Sequence, residues 1–320
     1  SPNTFVASAN CAVYCQAKPV FLDIDHRTYN LDPVKLAQKI TCKTKAVIPV
    51  HFAGQSCDMT KIKQIIAGKE QEYGHKIYII EDACHALGSE YKHEKIGSCK
   101  FSDITVMSFH PVKHITTGEG GILLTNDKYL FFMFLLMRSH GITSNAEEII
   151  LKENMMGNEV KPGYYEQQFL GYNYRITDIQ SALGLSQLKK LPFFIEERRK
   201  IVEIYNNEFK DIKHLTIPFE NDEVTSNYHL YVVQIDFEKI GKKRTEVILE
   251  LRKKGIQTQV HYIPVYYQPF YREKFGYATG ECPVCEKYYN QCLSIPLFPA
   301  MKIKDVEHVV RSIKESIKCV

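Results

Sequence analysis

The chain has 320 residues, of which 44% are hydrophobic and 24% are charged, so it can bury a sizeable core and lacks the composition of a disordered protein. Its 41 basic and 37 acidic residues leave a net charge of only +4, and no basic stripe interleaved with aromatic residues is present, which argues against a nucleic-acid-binding protein. The most apolar run, 129–137, is shorter than the roughly 20 residues that a membrane span needs, so it predicts a buried helix and no membrane association.

Strand and helix patterns alternate over the first two thirds of the chain. The predicted elements, in chain order, are a strand at 20–23, a helix from 32 to 40, a strand at 46–50, a helix at 58–67, strands at 76–80, 104–109 and 122–124, a helix at 175–190 and a long helix at 195–209. Such alternation predicts a mostly parallel sheet between two layers of helices, an αβα sandwich.

The pattern changes after about residue 212. Short strands at 228–235 and 257–262 flank a helix at 244–254, which predicts a small second α/β unit. An aromatic-rich segment follows at 264–277, and it either packs a loop onto this unit or frames a ligand.

One lysine stands between a predicted buried strand and a glycine-rich turn. Lys113 follows the strand 104–109 and precedes the glycines of 118–121. A lysine held in a dry pocket or beside positive charge has a lowered pKa, and its neutral amine can form a Schiff base with an aldehyde cofactor. The alternative is a surface lysine after a strand.

A pair of acids ends another predicted strand. Glu81 and Asp82 follow the strand 76–80, and ligands of open α/β sheets bind at the carboxyl ends of such strands. Asp82 is therefore the candidate carboxylate for the ring nitrogen of pyridoxal phosphate, whose protonated ring acts as an electron sink. The alternative is that Asp82 caps a helix.

Segments 81–88 and 108–121 resemble the two signature segments of the sugar-nucleotide aminotransferases of the DegT/DnrJ/EryC1/StrS family, and the resemblance covers essentially the whole chain. It implies the fold type I architecture of pyridoxal-phosphate enzymes. A large cofactor-binding domain would span 1–190, a connecting helix 191–211 and a small C-terminal domain 212–320. Segments 138–141 and 179–190 resemble members that serve pseudaminic acid synthesis.

The resemblance also implies roles for individual residues at the cofactor. Lys113 would be the Schiff-base lysine and Asp82 the partner of the ring nitrogen. Ser108 would contact the cofactor phosphate, Phe5 would stack on the pyridine ring, and His85 would lie near the ring hydroxyl, although His85 also fits a helix cap.

Substrate contacts and an assembly are implied in the same way. Asn173 would reach the active site of a neighbouring subunit, which implies a homodimer with shared sites, and Ser108 and Asn173 would also face the substrate. The segment Gln259, Val260, His261 and Tyr262 would help to hold a nucleotide sugar.

A lysine at position 113, where related dehydratases carry histidine, favours transamination. The implied reaction moves an amino group from L-glutamate to the C4 ketone of a UDP-linked 4-keto-6-deoxy-N-acetyl hexose. A related aminotransferase would act on another keto sugar nucleotide instead. The resemblance begins partway into the family pattern, so we expect a longer protein to supply the opening helices and the phosphate cup. The third alternative is a chain that is not an enzyme, either a truncated remnant or a regulatory relative that keeps the cofactor site.

Ten cysteines without a regular framework favour reduced thiols and a cytoplasmic enzyme. Cys282 and Cys285 form a lone C-x-x-C pair without a second pair at zinc-finger spacing, so no metal site is predicted and Cys285 is expected to be a small buried residue.

Overall fold

The computed structural model describes residues 1–318, and its helices and strands alternate as the sequence predicts over the first half of the chain. The helices are α1 (Ala7–Tyr14), α2 (Pro33–Lys39), α3 (Met59–Tyr73), α4 (Lys128–Arg138), α5 (Asp178–Leu188), α6 (Leu191–Phe209), α7 (Arg244–Lys253), α8 (Pro269–Phe275), α9 (Pro283–Gln291) and α10 (Ile303–Ser316). The strands are β1 (Ala46–Val47), β2 (Tyr78–Asp82), β3 (Glu90–Tyr91), β4 (Glu94–Lys95), β5 (Ile104–Ser108), β6 (Gly121–Leu124), β7 (Ile142–Thr143), β8 (Met155–Met156), β9 (Glu159–Val160), β10 (Glu166–Gln167), β11 (Leu215–Thr216), β12 (Val224–Thr225), β13 (Tyr231–Ile235) and β14 (Cys292–Ile295).

A four-stranded sheet in the order β1-β2-β5-β6 organises the first half. The pairs β1·β2 and β2·β5 are parallel, and β6 returns antiparallel to β5. In the β2·β5 register Asp82 lies opposite Val106, so the carboxyl ends of both strands meet at one sheet edge. That edge is where the candidate site is built.

The helix ends follow their capping residues. The side chain of Asp58 accepts from the Lys61 amide at the start of α3, and Gly74 ends this helix in a left-handed conformation with φ 71°. The observed α3 therefore runs one turn and more beyond the predicted 58–67. Thr177 and Gln180 form a reciprocal capping box at α5, which fixes the start of the predicted 175–190 helix.

A second, three-stranded antiparallel sheet, in the order β11-β13-β14, carries the C-terminal half. Its hydrophobic core is formed with α6, α7 and α10 and includes the fully buried side chains of Tyr205, Phe209, Tyr231 and Ile313. The division of the chain at 190 and 211 stays a prediction.

Two predicted strands are wrong. Residues 20–23 form no strand, and only an isolated bridge between Ile24 and Leu31 follows them. The segment is held instead by the side chain of Asp23, which accepts from two backbone amides at the start of α9. The segment 257–262 forms only one bridge, between Gln259 and Ser294 at the edge of β14 that β13 leaves free, and beyond it the His261 and Tyr262 side chains turn to Ser294 and His85.

The apolar run 129–137 is helical, as predicted, but its burial was predicted wrongly. In α4 only Leu136 is buried, whereas Tyr129 and Phe131 are 66% and 57% exposed. An apolar sequence all round a helix does not determine which of its faces is covered within one chain. No helix within 1–318 is both long and apolar enough to cross a membrane.

The aromatic-rich segment 264–277 packs largely inward. Tyr266 and Tyr271 are buried in a cluster with Phe21, Phe52 and Tyr288, while Phe270 is about half exposed. Packing onto the fold is thus the better interpretation of this segment. The same cluster buries Cys285, as expected from its sequence.

Candidate active site

Asp82 is fixed at the end of β2 through both its backbone and its side chain. Its amide donates to Pro49, and its carbonyl accepts from the His51 amide at 3.0 Å. One carboxylate oxygen accepts from the Cys84 amide at 3.1 Å, and the other accepts from the hydroxyl of Ser8 in α1. The carboxylate therefore has one orientation before any ligand arrives.

Glu81 lies directly behind Asp82 and is paired with a fully buried histidine. The His51 Nε2 atom is 2.7 Å from the Glu81 carboxylate, and its Nδ1 accepts from the Cys57 amide at 3.1 Å. Because Nδ1 is an acceptor, the ring proton lies on Nε2 and is donated to Glu81. Burial alone would raise the pKa of Glu81, but the hydrogen bond from His51 holds it below its ordinary value.

Lys113 lies on a loop that closes on itself after β5. The amide of Phe109 donates to Gly120 at 2.8 Å, that of Thr117 donates to Phe109 at 3.0 Å, and that of Lys113 donates to His110 at 2.9 Å. The lysine is half-buried. Burial lowers the pKa of its amine, while Cys84 and Asp82, which face it, oppose that shift. The neutral amine is the form that attacks a carbonyl carbon.

A cluster of buried histidine rings adjoins the lysine. The rings of His85 and His229 lie 4.4 Å apart, and those of His114 and His229 lie 5.3 Å apart. Burial, followed by nearby positive charge, lowers the pKa of all three, to about 3 for His114. Among the described residues, both ring nitrogens of His114 and the Nδ1 of His229 have no hydrogen-bond partner. The lowered pKa values mean that these rings are neutral at neutral pH.

The predicted substrate segment reaches this centre at one end only. The Tyr262 hydroxyl is 3.1 Å from the His85 Nε2. His261 instead hydrogen-bonds the Ser294 hydroxyl at 2.8 Å, Val260 packs into the aromatic cluster, and Gln259 is exposed beside β14. Burial, followed by Lys113, lowers the pKa of His261 to about 4.

The remaining predicted residues lie around the sheet edge or away from it. Ser108 ends β5, with its hydroxyl accepting from the His110 amide at 3.3 Å. Phe5 is 63% exposed and lies just before α1, whose Ser8 contacts Asp82. Asn173 is exposed, between Tyr172 and Tyr174, whose rings stack at 4.7 Å. Asn173 therefore makes no contribution to the polar contacts of Asp82 or His85 within this chain.

Three residues that lie at the candidate site were not identified from the sequence. Ser8 donates to Asp82, His229 packs against His85, and His114 adjoins Lys113. The position of His114 next to the candidate lysine was the only available signal. Ser8 and His229 join the site through tertiary contacts that no local pattern reveals.

Several known proteins of one family are similar to this chain. The model of the DegT/DnrJ/EryC1/StrS aminotransferase family matches residues 1–314. The spore coat polysaccharide biosynthesis protein SpsC of Bacillus subtilis is 39% identical over 319 residues, which cover 99% of this chain and 78% of SpsC. The UDP-4-amino-4,6-dideoxy-N-acetyl-beta-L-altrosamine transaminase of Helicobacter pylori is 33% identical, with 99% and 78% covered.

A solved structure agrees with the fold. The sugar aminotransferase Spr1654 of Streptococcus pneumoniae, described as putative and determined in its PLP form, matches with a TM-score of 0.86 at 28% identity. The match covers 99% of this chain and 79% of Spr1654.

Proposed function

Since the chain belongs to the DegT/DnrJ/EryC1/StrS aminotransferase family, we propose that it moves an amino group from L-glutamate to the C4 ketone of a UDP-linked 4-keto-6-deoxy-N-acetyl hexose, with pyridoxal 5′-phosphate as cofactor. The observation that carries the proposal is the half-buried amine of Lys113, whose pKa burial lowers, facing the fixed carboxylate of Asp82. Both groups stand at the carboxyl edge of a parallel sheet, where such folds bind ligands.

The residues present fit this cofactor. When bound, pyridoxal phosphate supplies an aldehyde that takes up the amino group and a ring that accepts electrons from the reacting carbon. Asp82 would hold the ring nitrogen, and the Ser8 hydroxyl keeps its carboxylate oriented. Phe5 has an exposed face for the ring, and Ser108 would hold the phosphate.

Lys113 carries the chemistry that the chain itself supplies. Its neutral Nζ atom would hold the cofactor through the aldehyde, would give way to the amine of the donor, and as a general base would carry the proton from the donor Cα. Burial keeps the amine neutral in a larger fraction of molecules at neutral pH. Two half-reactions at one site give ping-pong kinetics, with 2-oxoglutarate released first.

The attachment site is testable directly. The purified chain is mixed with pyridoxal phosphate, reduced with borohydride and digested, and the modified lysine is found by mass spectrometry. We expect the added mass on Lys113, its loss in Lys113→Ala, and its retention in Lys43→Ala, which removes an exposed lysine. Modification spread over exposed lysines, unchanged by Lys113→Ala, would contradict the proposal.

A related substrate is the second candidate. The relative named for spore coat polysaccharide synthesis is more similar to this chain than the altrosamine transaminase, which favours amination of a different keto sugar nucleotide for a surface glycan. Glutamate-dependent amination is therefore measured against UDP- and other nucleotide-linked 4-keto-6-deoxy sugars. A preference for the UDP-linked N-acetyl sugar supports the first candidate, and a preference for another keto sugar supports the second.

The proposed enzyme is a homodimer with shared sites. Exposed apolar side chains lie close together in sequence on α4, on α5 and on the segment between them, and include Phe131, Leu170, Tyr174, Ile179 and Leu185. Such a surface is typical of an interface between copies of a chain. Asn173 is exposed in the segment between these two helices, where a residue that serves a neighbouring site is expected.

Complementation tests that sharing. Lys113→Ala and Asn173→Ala chains are each expected to have little activity, but a mixture regains about a quarter of the wild-type activity, because half of the dimers are mixed and each mixed dimer has one intact site. A mixture with no more activity than its components, under conditions in which light scattering shows exchanged dimers, contradicts shared sites.

A further inference from the structure

Residues 2–4, just before α1, are anchored in the fold by buried hydrogen bonds. The side chain of Asn3 donates to the Tyr29 carbonyl at 3.3 Å and accepts from the Tyr262 amide at 3.1 Å. Asn3 is 1% exposed and its neighbour Thr4 is 5% exposed, so water has little access to either side chain. The position of Thr4 is therefore set by the fold before any ligand binds.

Thr4 begins a chain of two hydroxyl groups that ends at Asp82. The Thr4 Oγ1 atom lies 3.0 Å from the Ser8 Oγ atom, and the Ser8 hydroxyl donates to one carboxylate oxygen of Asp82. A serine hydroxyl carries a single proton, and Ser8 gives this proton to Asp82, so Ser8 accepts from Thr4. The other carboxylate oxygen accepts from the Cys84 amide at 3.1 Å. Both protons of the hydroxyl chain thus point towards the carboxylate.

This hydroxyl chain stabilises the negative charge of Asp82 more than a single hydroxyl would. A hydrogen bond to an ionised acceptor is stronger than one between neutral groups. The bond that Ser8 accepts polarises its own O–H group and strengthens its donation by roughly 10–30%. Thr4 makes no hydrogen bond to Asp82 in the described part of the chain, so its effect on the carboxylate passes through Ser8.

We propose that Thr4 and Ser8 are positioning residues that keep the proton between Asp82 and bound pyridoxal phosphate on the ring nitrogen of the cofactor. The inference rests on the proposed function, in which Asp82 contacts that nitrogen. Hydrogen bonds to the charged form of a carboxyl group weaken its hold on a proton. Ser8, assisted by Thr4, therefore leaves the proton on the ring, and the protonated ring is the better electron sink.

The ring-nitrogen resonance of bound pyridoxal phosphate labelled with nitrogen-15 reports where this proton lies. Ser8→Ala removes the donor, and we expect the resonance to move from the value of a protonated pyridine towards that of an unprotonated one. The ratio of the two proton positions should change about tenfold or more, the usual effect of a hydrogen bond to a charged group. Thr4→Val keeps the shape of the side chain and should change this ratio by about twofold.

Rescue and combination separate the hydroxyl chain from a structural role. Ser8→Thr and Thr4→Ser keep a hydroxyl at each position and should keep the wild-type resonance. Because Thr4 acts through Ser8, Thr4→Val should have no further effect on the resonance of a chain that already carries Ser8→Ala. Ser312→Ala is the control, because it removes a buried serine hydroxyl in α10, and we expect the wild-type resonance.

Two results overturn the proposal. One is a Ser8→Ala resonance equal to that of Ser312→Ala, and the other is a Thr4→Val effect that persists in the Ser8→Ala chain. If the wild-type chain retains no labelled cofactor, the proposed function fails instead, so the two failures are distinguishable.

The cofactor-free chain tests the hydroxyl chain by itself. Urea midpoints of the wild type, Thr4→Val, Ser8→Ala and the double variant form a double-mutant cycle. Because the two hydroxyls are bonded to each other, we expect the double variant to lose less than the sum of the two single losses. Additive losses overturn the link between Thr4 and Ser8, whether or not a cofactor binds.

Discussion

The buried pair of His51 and Glu81 should stabilise the folded chain more through its hydrogen bond than through the charge of Glu81. Replacing Glu81 by glutamine keeps an oxygen for the His51 Nε2 proton, and the neighbouring hydroxyls of Ser102 and Thr105 can turn to accept from the new amide. We expect a loss of about 1 kcal/mol in the free energy of unfolding, the difference between a charged and a neutral hydrogen bond.

Replacing Glu81 by leucine removes the acceptor altogether. The Nε2 proton of His51, in a side chain with 0% exposure, then loses its partner. We expect a loss of about 3 kcal/mol or more, because a buried donor without an acceptor carries its full desolvation cost. The gap between the leucine and glutamine variants measures the hydrogen bond separately from the charge.

The charge is visible in the pH dependence. Because the pKa of Glu81 is lower in the folded chain than in the unfolded one, its contribution is present above the unfolded value of about 4.3 and is lost as the pH falls through the folded value. The difference in stability between the wild type and Glu81→Gln should therefore shrink as the pH is lowered from neutral towards 3.

Urea midpoints followed by far-ultraviolet circular dichroism suit this chain, which has no tryptophan. Lys43→Ala, at an exposed position, provides the reference for an indifferent substitution. Equal midpoints for the glutamine and leucine variants at pH 7 would refute the hydrogen-bond argument. A glutamine variant whose deficit is constant with pH would refute the charge argument.

Three other outcomes are expected. Gly54→Ala should lower the free energy of unfolding by about 2 kcal/mol, because a Cβ there would collide with the Asn227 amide oxygen on a backbone with φ 101°. Gly68→Ala, in open space within α3, should raise it by about 0.5–1 kcal/mol. Urea midpoints compare the two variants. Burial lowers the pKa of His114 to about 3, so the unfolded chain binds a proton at this ring before the folded chain does, and stability falls as the pH drops from 6.5 to 3. His114→Phe should make this fall in stability smaller. An unchanged pH profile would speak against a neutral buried ring. Asp23→Asn should cost about 1–2 kcal/mol by weakening the cap of α9, and thermal unfolding that matches the wild type would show that the cap is dispensable.

The positions of the two main candidate residues were predictable because each follows a strand. Asp82 directly ends a strand with a clear apolar pattern, and Lys113 follows another, so a parallel sheet brings them to one edge without further information. The strand at 20–23 was not predictable in the same way. Its apolar residues satisfy a strand pattern, but Asp23 serves as the cap of a helix about 260 residues away, and only the tertiary fold reveals that.

Burial and orientation were also beyond a local pattern. The apolar run of α4 has the composition of a core helix, but which of its faces is buried depends on the residues that pack against it. Likewise Ser8 and Asp82 are 74 residues apart, and Tyr262 and His85 are 177 apart. Hydrogen bonds over such separations follow from the complete fold.

A network of buried hydrogen bonds links the segments around the sheet edge to the segment that carries His229. The Ser89 hydroxyl donates to the Gly54 carbonyl at 2.7 Å and accepts from the Asn227 amide, and the Asn227 side chain donates to Leu87 at 2.9 Å. These bonds lie between Ala53, which orients His85, and His229, which packs on it. Because buried polar groups must keep their partners, a shift in any one would move the others. The orientation of Tyr262, which hydrogen-bonds His85, thus depends on residues of this network, none of which needs to contact a substrate.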